Sequence, residues 1–315
     1  MEDKGTKYSQ LEVARILGEP KDPRKPYSDL VTAVAETATA SPEEYVYYFD
    51  VLLETDKVVT ITGTGELSSE GISPDSPTLF TFVDVASPEY YVKITDLAGS
   101  KESTLTRKLR TLNRALNAYE NNYIIRLAQA AAITASHQQG LEGTDTTFNY
   151  KSVIDMVQDV VDYGDNYVLI VGSQIDTDMK LWDWTDNKYS SMIEAFKDLG
   201  IEKMRVSGNV TVDGSVSSML ASTKAYLVAR NSEVGNPFLF VRKKLNDIDL
   251  LGGAIKENGD RPERLVFVSP NPIAVTVGSA KRYLAVGLTG YEEIVAACIN
   301  PYAVSEFTRA NIAAD

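Results

Sequence analysis

The chain has 315 residues, 43% of them hydrophobic and 24% charged, and carries a net charge of -13 with an isoelectric point near 4.7. That balance supports one large or two smaller cores and makes sequence-specific binding to DNA a poor expectation. One cysteine, Cys298, excludes an internal disulfide framework and fits a reducing compartment. No apolar run approaches the roughly 18–20 residues needed to span a bilayer, and the N-terminus lacks the apolar centre of a secretory signal.

Residues 1–44 read as an arm: Tyr8 to Leu17 fits a short helix, and Pro20, Pro23 and Pro26 then break regular structure. Residues 45–97 read as β-structure. Val58–Thr62 and Thr78–Val85 are rich in β-branched and aromatic residues, and Gly63–Pro77 between them has the Gly, Ser, Pro and acid content of a loop. Together they predict a long two-stranded excursion with a polar tip. A lone hairpin is marginal in water, so such an excursion needs a surface to lie on.

The clearest periodicity covers 101–137. Leu105, Leu109, Leu112, Leu116, Tyr119, Tyr123, Leu127, Ala130 and Thr134 step by four and three and form one helical stripe. Ser100 or Ser103 fits the start and Gly140 the end, giving a rod of roughly 50 Å. Residues 148–230 then alternate: a helix near Val153–Val161, a buried strand at Tyr167–Val171, a helix at Ser190–Leu199, and strands at Lys203–Val206 and Ala225–Ala229. Residues 236–309 return to strands at Phe238–Val241, Arg264–Val268, Tyr283–Val286 and Ile294–Ile299, punctuated by Pro270, Pro272 and Pro301.

Catalytic constellations are thin. The only histidine, His137, ends the long helix and alone cannot supply a triad or a multi-histidine metal site. Cys298 lies in the apolar run VAACI, the setting of an inert buried thiol. Gly99-Ser100-Lys101-Glu102 is no phosphate-binding loop, and Gly63-Thr64-Gly65 lacks the third glycine of a dinucleotide fingerprint. Asp176, Asp178, Asp183 and Asp186 have the ligand chemistry for calcium but not the EF-hand spacing, so a solvated loop or helix end is expected there.

Charge is unevenly placed. Residues 58–92 hold Glu66, Glu70, Asp75, Asp84 and Glu89 and neither lysine nor arginine. The long helix bears Lys101, Arg107, Lys108, Arg110, Arg114 and Arg126 against Glu102 and Glu120 only, and a second basic group, Arg242, Lys243, Lys244, Arg261 and Arg264, lies near the final strands.

The order arm, acidic-tipped hairpin, long helix, α/β region and final strands resembles the HK97-like major capsid proteins of tailed phages. NRALNAYENNYIIRLAQAAAITAS is similar to the spine helix of that family, and RYLAVGLTGYEEIVAACINPYAVSEF to its closing strand. The resemblance implies an α+β capsid fold with an N-terminal arm over 1–44 and an E-loop with flanking strands over 45–100. It also implies a P-domain from 101–147 and 231–290, and a central α/β A-domain from 148–230 and 291–315. It implies self-assembly into hexamers and pentamers of an icosahedral shell around double-stranded DNA, without catalysis, cofactor or membrane. A separate scaffolding protein (the arm being short), a portal and a possible decoration protein would be partners. The location would be the virion capsid, built in the host bacterial cytoplasm. Because the family lays its E-loop on a neighbour, inter-subunit contact is expected between Glu66, Glu70 and Asp75 of one copy and Arg107, Arg110, Arg114, Arg242, Lys243 and Lys244 of the next. The lysine-based crosslink of some members has no donor here, since residues 58–92 lack lysine. A protein-loaded compartment shell of the same fold, and an α/β enzyme or binding protein with a β-appendage, are the competing classes.

Overall fold

The computed structural model describes residues 30–49, 78–87, 89–93, 102–140, 147–182, 189–206, 208–212, 215–231, 235–245, 263–277 and 280–309. It opens with α1 (Leu30–Val34), one apolar turn whose Leu30, Val31 and Val34 are fully buried, running directly into β1 (Ala35–Ala40). The described end of the expected arm is therefore part of the core. β2 (Val46–Phe49) and β3 (Thr78–Thr81) pair antiparallel, Phe49 opposite Thr78, and form the stem of the excursion. Val58–Thr62 and the acidic tip lie outside the described residues. The expected continuous strand at Thr78–Val85 is instead β3 followed by β4 (Val83–Ala86), which joins another sheet; β5 (Tyr90–Lys93) follows it there.

α2 (Glu102–Ala135) has 34 residues. Its buried face runs through Leu112, Leu116, Glu120, Ile124, Ala128, Ala131 and Ala132. The predicted stripe is right at Leu112 and Leu116 and then drifts: Tyr119, Tyr123 and Leu127 flank the buried face, and Ala130 and Thr134 are exposed. Steps of four hold the true face, with alanines at its end permitting close approach to a sheet. The helix stops at Ser136, not Gly140. Ser136 has φ 59°, its amide donates to the Ile133 carbonyl at 3.1 Å, and the His137 amide donates to the Ala132 carbonyl at 3.0 Å. This is a Schellman stop with serine where glycine is usual.

The α/β region follows. It comprises β6 (Gln138–Gln139), α3 (Tyr150–Val160), β7 (Asn166–Val171), α4 (Ser173–Lys180), α5 (Met192–Asp198) and β8 (Ile201–Arg205). A small hairpin, β9 (Asn209–Val212) and β10 (Ser215–Ser218), then precedes β11 (Lys224–Arg230). Asn149 starts α3 with a reciprocal capping box: its side chain accepts from the Ser152 amide at 2.9 Å, and Ser152 Oγ accepts from the Asn149 amide. The last strands are β12 (Phe238–Lys243), β13 (Arg264–Val277), β14 (Ala280–Cys298) and β15 (Val304–Thr308). The two expected strands at Tyr283–Val286 and Ile294–Ile299 are one continuous strand of 19 residues, β14.

Two sheets result. β14 is the axis of the larger: Ile294 pairs with Arg242 of β12 and also with Val83 of β4. β12 and β13 thus lie end to end along one side of β14, β4 and β5 end to end along the other, and β1 adds parallel to β12. The second sheet has the order β6-β15-β11-β7-β8. Its strands alternate as a doubly covered sheet should. Val168, Ile170, Tyr226 and Val228 face α2, while Leu169, Val171, Ala225 and Leu227 face the layer of α3, α4 and α5. On the larger sheet α2 covers one face, and the stem residues Tyr47, Phe80 and Phe82 pack with Leu239, Val241 and Val295 on the other.

Candidate assembly interface

Docking α2 onto the larger sheet buries charge. Glu120 (2% exposed) accepts from Arg242 Nε at 2.8 Å and from Arg242 Nη2 at 3.0 Å, a two-pronged pair, and lies 2.9 Å from Arg264 Nη2. Arg264 Nε donates to Glu292 at 2.6 Å, and its Nη1 to Asn113 of α2. Two carboxylates and two guanidinium groups thus meet where the helix crosses β12, β13 and β14. Burial works against both cations, yet Glu120 and Glu292 raise their pKa values further. Burial drives the Glu292 carboxyl up to about 7 against the pull of Arg264.

Lys243 sits on the opposite face. Its ammonium lies 2.7 Å from Glu293 and 5.2 and 5.5 Å from the ring centres of Tyr45 and Phe82. It clamps the stem of the excursion onto its own sheet through an ion pair and two cation–π contacts. Nearby, the Tyr291 hydroxyl donates toward Asp84 at 2.8 Å and Glu293 at 3.0 Å.

The expected contact residues therefore divide. Glu66, Glu70 and Asp75 lie outside the described residues, and of Arg107 only the backbone is described. Arg242 and Lys243 are held by acids of their own chain. The Lys244 amide donates to the Ala40 carbonyl at 2.9 Å, extending the β1–β12 junction. Arg110 and Arg114 are half-buried on α2, and Arg110 Nε is buried without a hydrogen-bond partner among the described residues.

Sequence reasoning missed a charge group in the second sheet. Asp176 and Asp178, expected on a solvated loop or helix end, are buried on α4; Asp183 and Asp186 lie outside the described residues. Asp176 faces Lys180 at 2.8 Å, Lys203 at 3.0 Å and Arg205 at 3.4 Å. Burial alone would raise its pKa; the hydrogen bonds from Lys180 and Lys203 hold it below the ordinary carboxylate range. Asp178 pairs with Arg309 at 3.1 Å and accepts from the Phe148 amide at 3.3 Å, tying the final strand to the α3 and α4 layer.

Reactive groups are muted. Burial pushes the Cys298 thiol up to about 12, so it is protonated at neutral pH. The His137 ring meets Tyr302 edge-on, 6.4 Å between centroids, and Tyr302 stacks on Tyr163 at 5.7 Å. Among the described residues no cluster of three or more His, Cys, Asp or Glu side chains has the arrangement to hold a metal ion.

No protein-family model matches the chain, and no curated protein matches it in sequence. Solved structures match over nearly the full length of both chains. A chain from Mycobacterium phage Adephagia is 12% identical, with a TM-score of 0.56 over 98% of this chain and 99% of its own. The capsid structure of cyanophage P-SCSP1u is 10% identical, with a TM-score of 0.51 over 93% and 91%. A virus-like particle from Pyrococcus furiosus is 11% identical, with a TM-score of 0.50 over 94% and 95%. Stem, long helix, strand-swept sheet and covered α/β sheet together form the HK97-like capsid fold.

Proposed function

We propose that the chain is the major subunit of a closed icosahedral shell that assembles through hexamers and pentamers around double-stranded DNA, as in a tailed phage. The observation that carries this is the extent of the structural likeness: the cyanophage capsid subunit aligns over 93% of this chain and 91% of its own. The subunit works by contact, not by catalysis; its one thiol is protonated at neutral pH and its one histidine lies edge-on to Tyr302. Its partners are other copies of itself, a separate scaffolding protein and a portal, with DNA held without sequence-specific contacts. It belongs to the virion capsid and assembles in the host cytoplasm. In this reading the E-loop is the excursion on the β2–β3 stem, the P-domain the larger sheet with α2, and the A-domain the five-stranded sheet, so that β4, β5 and residues 291–298, expected in the E-loop and A-domain, go with the P-domain sheet. Of the basic residues on α2, the half-buried Arg110 and Arg114 remain candidates to meet the Glu66, Glu70 and Asp75 segment of a neighbour.

Electron microscopy of the purified protein, with nucleic-acid quantification of the particles, tests this. Closed shells of megadalton mass containing DNA after expression in an infected host are expected. Shells filled with protein and free of DNA would instead make it a compartment shell. A small fixed oligomer at all concentrations would refute both.

A further inference from the structure

The five-stranded sheet has charge of opposite sign at its two sides. At one side β8 is the edge strand among the described residues. There Asp176 is ringed by Lys180, Lys203 and Arg205, three cations on one buried carboxylate, and the Lys180 and Arg205 side chains remain 61% and 51% exposed. Glu202 on the same strand is engaged with Arg230 at 3.4 Å. Here Lys180, Lys203, Arg205 and Arg230 face Asp176 and Glu202, and the exposed Glu194, Lys197 and Asp198 of the adjacent α5 take one charge from that surplus, which stays positive in a chain whose net charge is -13.

At the other side α3 lies over β15 and β6. It is fastened by Asp159, which accepts from Gln139 Nε2 of β6 at 2.7 Å and from Ser305 Oγ of β15 at 2.8 Å. Helix α3 and the turn after it present Asp155, Asp159 and Asp162, with Lys151 the one basic residue over 150–163.

We propose that the basic β8 edge of one copy receives the acidic α3 side of the next, so that successive copies join head to tail. The two surfaces differ, so the contact is heterologous; it repeats the same way round and closes into a ring. Lysine and arginine on an edge strand discourage indiscriminate strand pairing, and a helix bearing carboxylates satisfies them without adding a strand. Complementary charge of this kind sets register and speeds encounter. The inference rests on the shell reading and deepens it by naming the surfaces that meet within a ring.

The test uses the full chain at physiological ionic strength, following assembly by light scattering and microscopy. Two variants address the two sides: Asp155→Lys with Asp162→Lys, and Lys180→Gln with Arg205→Gln, which leaves Lys203 on Asp176. Each is expected to melt within a few degrees of the parent yet assemble at least tenfold more slowly, and to lose most of the parent's rate dependence on salt. If one variant does not fold, the other decides. A folded variant that assembles at the parent rate overturns the inference and leaves the shell reading intact. A parent chain that never forms rings or shells defeats the shell reading, and this inference with it.

Discussion

Replacing Glu120 by glutamine removes one negative charge from a buried group of four and leaves nearly the same shape. In the parent above pH 7, where Glu292 is ionised along with Glu120, the two carboxylates balance Arg242 and Arg264, with Glu120 in contact with both guanidinium groups. In Glu120→Gln a surplus cation remains in a site that excludes water. Breaking a buried ion pair on one side costs about 3–5 kcal/mol. Domains of this size are stable by about 5–15 kcal/mol, so much of the reserve would be lost. The assay is urea denaturation of the unassembled subunit, kept dilute so that contacts between copies add nothing. The control is Glu120→Leu with Arg242→Met, which removes a whole pair and leaves Arg264 with Glu292. It is expected to be less destabilised than Glu120→Leu alone by at least about 1.5 kcal/mol. If Glu120→Gln unfolds within about 0.5 kcal/mol of the parent, water reaches the cluster and the balance of charge does not hold α2 to the sheet.

Three further outcomes are expected. Leu112 is fully buried beneath β14, so Leu112→Ala should destabilise the subunit by about 2–5 kcal/mol and lower soluble yield before it alters particle geometry, checked by calorimetry and microscopy. Ser136 holds φ 59° at an exposed helix stop, so Ser136→Gly should raise stability by about 1 kcal/mol, checked by thermal melting. The Glu292 carboxyl rises from 4.5 to about 7 on folding, so the folded state holds the extra proton between those values and stability falls as pH rises through that window. The parent should therefore lose at most about 3 kcal/mol between pH 4.5 and 7 that Glu292→Gln does not lose, measured by denaturation at several pH values.

The sequence showed most clearly what local periodicity controls. α2 follows from apolar spacing repeated over many turns, and β7 and β11 from short apolar runs of strand length; α5, of seven residues, is the shortest helix read correctly. The failures have long-range causes. Gly287-Leu288-Thr289-Gly290 has the composition of a turn, yet β14 runs straight through it. A Cβ on Gly290 would lie 3.3 Å from Leu116 Cδ1 and 3.8 Å from Leu112 Cβ, so the glycine serves the close approach of α2, not a bend. β13 likewise continues past Pro270 and Pro272, where its register to β14 shifts between Ser269 and Ile273. A proline is tolerated at such an irregularity on an outer strand. α4 was invisible because its eight residues, SQIDTDMK, hold two aspartates on the buried side. Apart from Lys180, one turn on in the same helix, their cations Lys203, Arg205 and Arg309 come from β8 and from just beyond β15, which no local window contains.

The same long-range pairing changes what the basic residues can do at a surface. Counted along the chain, Arg242, Lys243 and Arg264 look like a patch awaiting an acidic partner. Folded, they are neutralised by Glu120, Glu292 and Glu293 and serve to fix α2 and the stem to one sheet. Each such pair removes one charge of either sign from the surface, so the net charge of -13 is carried outside by fewer compensating cations. Copies of such a subunit repel one another at long range. At physiological ionic strength that repulsion is damped beyond about 8 Å, whereas opposed charges in contact are damped far less. Under those conditions the proposed basic edge would act as an orientation filter: it favours the approach that brings it against the acidic side of a neighbour over approaches that oppose like charges.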